Sequence, residues 1–148
     1  MQLIRDLYLF CCFTGLSFSD LKNLKEEHIQ TFFDDSEWIM IDRQKTGVRS
    51  TIKLLDYPKS IMEKYRGLCA DGRIFPVPCY SDCRGILLRV AKRCGITKHL
   101  TWHCLSHSKS FYLLNISELS ILKNVTANDL ETSYILFLSQ PCNIQRTL

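Results

Sequence analysis

The chain has 148 residues, 46% of them hydrophobic and 23% charged, with a net charge of +4. That balance excludes a disordered or low-complexity chain. The length suits a single domain, which at this size buries about 68–70% of its unfolded surface without cross-links.

The first predicted element is a buried helix over residues 2–13, apolar nearly all round. Its longest apolar run, 7–13, is far short of the roughly 18 residues a membrane span needs. Arg5 and Asp6 precede that run and no small-residue cleavage site follows, which makes it a poor signal peptide. The expectation is a cytoplasmic domain with no membrane partner. Thr14-Gly15-Leu16 should stop the helix, and Ser17 or Ser19 can cap a second short one through Asn23. Three stretches follow, 28–33, 38–43 and 50–55, rich in Ile, Phe, Thr and Trp. Asp34-Asp35-Ser36 and Lys45-Thr46-Gly47 separate them, which predicts a three-stranded antiparallel meander.

After Pro58 the period becomes helical, with Ile61, Met62 and Tyr65 on one side and Pro58 in the first turn. Residues 72–78 read as a loop. Ser81 or Asp82 should open a helix that buries Ile86, Leu87, Val90, Ala91 and Cys94 and ends at Gly95. Arg89, Lys92 and Arg93 fall on its other face. A helix from about Thr101, holding Trp102, His103 and His107, and two shorter ones around 118–123 and 128–138 complete the chain. The fold class expected is α+β, mainly helical, with helices around one small three-stranded antiparallel sheet.

Charge is unevenly spread. From 43 to 109, fourteen Lys or Arg stand against four acids (Asp56, Glu63, Asp71 and Asp82), a surplus of ten; the rest of the chain is acidic by six. The middle of the chain is therefore a candidate polyanion surface. The eight cysteines form no paired CxxC knuckles of the kind a zinc ribbon needs. Several, such as Cys11, Cys12 and Cys94, have apolar neighbours and read as small buried hydrophobes.

Four segments occur in a recognisable order: TGLSFSDL at 14–21, QKTG at 44–47, TWHCLSH at 101–107 and LETSYIL at 130–136. Together they resemble the catalytic domain of the tyrosine recombinases, the phage-integrase family. The resemblance covers the chain to about residue 138 and lacks the N-terminal core-binding domain of such enzymes. It implies a single catalytic domain over 1–148. Members cut DNA with a tyrosine that forms a 3′-phosphotyrosyl link. Two arginines neutralise the phosphate, a hairpin lysine protonates the leaving oxygen, and histidines assist.

Carried over residue by residue, the resemblance assigns Lys45 to the hairpin lysine, and His103 and His107 to the histidines. Asp20 matches the acid that helps hold the first arginine; it also suits the first turn of a helix. The two arginine positions are Ser17 and Ser106, and serine supplies neither the fixed charge nor the planar fork that phosphate needs. Aligning Leu130, Thr132 and Ser133 puts Ala127 at a further family histidine and Leu136 at the nucleophile. Tyr134 lies two residues earlier, about 200° around a helix from position 136, where a packing tyrosine is expected. The stretch after His107 runs short of the family spacing and reads as drifted or frame-shifted.

Three positions are thus kept and four lost. Removing a single transition-state donor costs about 10²–10³ in rate. Loss of both arginines and the nucleophile predicts an impaired recombinase domain that still binds DNA. Lys45, His103 and His107 should meet in one basic concavity lined by Ser17 and Ser106. Arg43, Arg49, Arg89, Lys92 and Arg93 are the candidate contacts to double-stranded DNA, and other recombinase protomers are candidate partners. One alternative is an active integrase using Tyr134, with Arg43 or Arg49 supplying the missing charge. Another is a non-catalytic fragment that only packs against a full-length recombinase. No cofactor is expected: His103 and His107 lack the glutamate of a zinc HExxH site.

Overall fold

In the computed structural model the described residues are 2–33, 35–98 and 100–103. They form an α+β fold of four helices and one three-stranded antiparallel sheet. Expectations for Cys104, Ser106, His107, Ala127, Tyr134, Leu136 and Cys142, and for helices at 118–123 and 128–138, lie outside those residues.

Helix α1 (Gln2–Thr14) is the central element, with ten of its residues buried. Leu7, Leu9, Phe10 and Cys11 have no exposed surface, as an element apolar on every side requires. Gly15 ends it at φ +65, a conformation that favours glycine, and its N–H donates to the Cys11 carbonyl at 2.8 Å. Phe10 meets Phe75 edge-on at 4.8 Å, and Tyr8 meets Trp102 at 5.5 Å. Deleting one such buried ring costs about 3–5 kcal/mol, so these contacts hold distant segments to α1.

Helix α2 (Phe18–Lys22) starts with a capping box: the Ser17 hydroxyl accepts from the Asp20 N–H, and the Asp20 carboxylate accepts from the Ser17 N–H. The sheet then runs β1 (Ile29–Thr31), β2 (Glu37–Asp42) and β3 (Arg49–Lys53), in sequence order. Ile39 faces Ile29 on one side and Ile52 on the other; with Ile41 it turns inward to the core. The meander is as expected but β1 is shorter. The His28 ring accepts the Lys25 N–H at 3.0 Å and draws Glu26–His28 into a 3-10 turn. Phe32 belongs to the β1–β2 turn, where its N–H donates to the Ser36 carbonyl.

Helix α3 (Asp56–Tyr65) buries Pro58, Ile61, Met62 and Tyr65, the spacing of one helical face. Helix α4 (Tyr80–Arg93) buries Cys83, Leu87, Val90 and Ala91. It opens at Tyr80, just ahead of the expected Ser81 or Asp82, and Tyr80 packs edge-on against Phe18 at 5.1 Å. Ile86 is only partly buried, and Gly95 (φ +67) follows the helix as expected. Among the described residues no helix is long and apolar enough to cross a membrane.

One polar cluster sits inside this core. Asp6 is 3% exposed and accepts from Arg5 Nε at 2.9 Å, from Lys64 Nζ at 2.7 Å and from Tyr65 Oη at 2.7 Å. Burial pushes its pKa up, but the hydrogen bonds from Lys64, Tyr65 and Arg5 outweigh burial and leave the carboxyl below its ordinary value. A carboxyl depressed in the folded state stabilises the fold above its unfolded pKa, and that stabilisation is lost as pH falls through the folded value. Urea unfolding should therefore show stability falling on acidification below about pH 4, the unfolded carboxyl value. Asp6→Asn should flatten that acid limb; identical limbs in the two proteins would contradict the assignment.

Candidate nucleic-acid interface

The β2–β3 turn is built by local hydrogen bonds. Arg43 N–H donates to the Val48 carbonyl at 3.0 Å, and Gly47 N–H to the Arg43 carbonyl at 2.7 Å, with Gly47 at φ +66. What positions this turn is a residue from α2. Asp20, 2% exposed, accepts the Gln44 N–H at 3.0 Å through Oδ1. Its Oδ2 accepts the Ser17 hydroxyl at 2.8 Å and lies 3.6 Å from Arg43 Nη1. Arg43 Nη1 also donates to the Gly15 carbonyl at 2.9 Å, and its Nε donates to Ser50 Oγ at 2.9 Å. One carboxylate thus links the loop holding Ser17 to the turn holding Lys45.

A second link runs through aromatic rings. Phe18, next to Ser17, stacks edge-on with Trp102 at 5.0 Å, and Trp102, 1% exposed, precedes His103. The segments bearing positions 17, 45 and 103 are therefore all anchored on the first turn of α2. Lys45 and His103 are both exposed. Lys45 has no ion-pair partner among the described residues, so its ammonium remains available to an external anion. Ser17 Oγ, by contrast, is held by Asp20 and Ser19.

The remaining candidate cations differ from one another. Arg43, expected as a DNA contact, is instead committed inside the fold through two guanidinium nitrogens, and its side chain is 24% exposed. The physical reason is the Gly15 carbonyl, left over at the end of α1, which needs a donor. Arg49 pairs with Asp42 at 3.4 Å, both side chains well exposed. Surface pairs of this kind are worth about 0–1 kcal/mol, so phosphate can displace Asp42. Arg89, Lys92 and Arg93 are exposed on α4, opposite its buried stripe, with no acidic partner among the described residues. Arg84, which the helical pattern did not single out, is exposed on the same helix and equally unpaired among those residues. Its signal was present in the basic surplus of the 43–109 segment.

Six cysteines are described and all are free thiols. Cys11, Cys12 and Cys94 are buried, as their apolar neighbours predict, and Cys83 is buried although Asp82 and Arg84 flank it. Burial pushes the Cys12 thiol up to about 12 and the Cys83 thiol up to about 11, which suppresses the reactive thiolate. Cys79 departs from that reading, being exposed just before α4. Among the described residues no three His, Cys, Asp or Glu side chains group to hold a metal ion.

The Asp20 joint makes a quantitative demand. Asp20→Ala removes the reciprocal acceptor of the capping box and strands buried donors at about 1–3 kcal/mol each. Chemical denaturation should show a loss of about 2–4 kcal/mol on this change. Hydrogen exchange at the Gln44 amide should accelerate in the same variant. A Gln44 amide that exchanges at the wild-type rate would show that the carboxylate does not hold the turn.

No protein-family model matches the chain, and no curated protein or solved structure matches it.

Proposed function

We propose that this chain is a cytoplasmic duplex-DNA-binding domain patterned on the tyrosine recombinase catalytic domain and impaired in strand cleavage. What carries the reading is the Asp20 joint, which holds the Ser17 loop and the Lys45 turn together across 24 residues of sequence. In the recombinase pattern an acid at this place orients an arginine beside the hairpin lysine. Here the arginine position is Ser17, whose hydroxyl is used up in capping α2. The Lys45 ammonium can contact a phosphate, but without the planar double fork of arginine the developing charge of a pentacovalent phosphate goes largely unneutralised.

The alternative of relocated arginines finds little support in Arg43, since its guanidinium already serves Gly15, Asp20 and Ser50. Affinity for DNA then rests on unpaired surface cations, Lys45 on the turn and Arg84, Arg89, Lys92 and Arg93 on α4. Such contacts act through counterion release and carry no base information.

Fluorescence anisotropy with short duplexes should give sequence-tolerant binding of about 10⁻⁴–10⁻⁶ M, falling steeply with salt. Reversing Arg89, Lys92 and Arg93 to Glu should abolish it and leave the circular dichroism unchanged, because the buried stripe of α4 is untouched. Binding that survives the triple reversal with the same salt slope would refute the surface chosen. A nicked suicide substrate should yield no covalent protein–DNA adduct; an adduct lost on Tyr134→Phe would instead establish an active integrase. Absence of any salt-dependent binding would favour a fragment that only packs against another recombinase.

A further inference from the structure

The most exposed large apolar side chain among the described residues is Phe33, 100% accessible at the β1–β2 turn. It is not isolated. Phe32, 39% exposed, lies beside it and meets the half-buried Trp38 edge-on at 5.7 Å. The turn is held in shape by Phe32 N–H to the Ser36 carbonyl at 2.9 Å, Asp35 N–H to the Phe32 carbonyl at 3.0 Å and Trp38 Nε1–H to Ser36 Oγ at 2.8 Å. Hydrogen bonds that already hold the described turn residues reduce the entropy given up on docking. A wholly exposed phenyl ring gains from leaving water, by the same effect that builds the core.

Charge narrows what could cover it. Asp34 and Asp35 follow Phe33 in the sequence. Two carboxylates at the tip repel a nucleic-acid backbone and an anionic lipid surface, and they repel a second tip equally. A fitting partner is basic and offers an apolar gap.

Such a surface exists on the same chain. On α4, Leu88 is 39% exposed, with Arg84 four residues before it and Lys92 four residues after it. Gly85 lies three residues before Leu88, also exposed, and a Cβ built on it would meet no atom within 4 Å. Glycine weakens a helix interior, and among the described residues nothing approaches Gly85 closely enough to require it. Its missing side chain leaves open space beside Leu88, flanked by cations that have no acidic partner among the described residues.

We propose that the Phe33 tip of one copy docks onto the Gly85–Leu88 patch on α4 of a second copy, with the acidic tip, Asp35 included, meeting Arg84 and Lys92. The contact is heterologous, since the two patches differ, so it repeats head to tail. It does not rest on the DNA-binding reading. Lys92 belongs to both surfaces, however, so a neighbouring tip and a duplex would exclude each other there.

The test is light scattering and sedimentation of the full chain, free of DNA, over a range of concentrations. The wild type should associate with rising concentration and dissociate with added salt. Phe33→Ser alone, and Arg84→Glu with Lys92→Glu, should each lose association while keeping the wild-type circular dichroism, all three side chains being exposed. Mixing these two variants should restore a one-to-one pair, because each keeps the patch the other lacks. Gly85→Leu should lose association without lowering the thermal midpoint. A wild type that stays monomeric, association that survives Phe33→Ser, or a mixture that fails to pair would each overturn the proposal.

Discussion

A single carboxylate makes the hairpin part of the domain. Without Asp20 the β2–β3 turn would be an exposed loop at the far end of a small sheet. With it, the Gln44 amide, the Arg43 guanidinium and the Ser17 hydroxyl share one acceptor that is nearly withdrawn from water. A buried charge is tolerated only when its lone pairs are occupied, and that demand lets one residue fix three segments at once. The Lys45 ammonium is carried by this arrangement without taking part in it.

The second organising contact is aromatic. Phe18 touches both Trp102 and Tyr80, so the start of α4 and the segment before His103 are tied to the same short helix that Asp20 belongs to. Among the described residues, position 17 thus lies where the 14–21 loop, the 44–47 turn and the 101–103 segment meet. Away from that junction, α4 keeps its apolar stripe on α1 and gathers its cations outside. Concentrating unpaired positive charge on one helix is mildly unfavourable in the isolated domain and becomes favourable only against a polyanion or an acidic surface.

Much of this was legible in the chain because the elements carry clean local signals. Period-two stretches between Asp34-Asp35 and Thr46-Gly47 specify the meander, and Ser17 is readable as a cap with Asp20 in the first turn, though the box that joins them needed coordinates. Local signals failed where a distant partner decided the outcome. Arg43 reads as a surface cation until the Gly15 carbonyl, 28 residues away, becomes its acceptor. Arg5 and Asp6 read as a polar flank to an apolar run, yet Lys64 and Tyr65 of α3 close over Asp6 and bury it. The ring contact between Tyr80 and Phe18 is likewise invisible to any reading of Ser81 and Asp82. The site was legible in the same partial way: the resemblance placed positions 17, 45 and 103 in one list, and their shared anchorage on α2 needed coordinates. Positions 106, 107 and 134 fall outside the described residues.

The central claim is that a surface carrying Lys45 and the α4 cations is the one DNA meets. Amide NMR of the isotope-labelled chain, kept dilute enough to stay monomeric and titrated with a short duplex, tests it most directly. The account predicts shift changes confined to the 43–49 turn and the outer face of α4, reversed by added salt, with the amides of the Phe32–Phe33 tip unmoved. Shifts centred on that acidic tip, or an unchanged spectrum at saturating duplex in low salt, would contradict it.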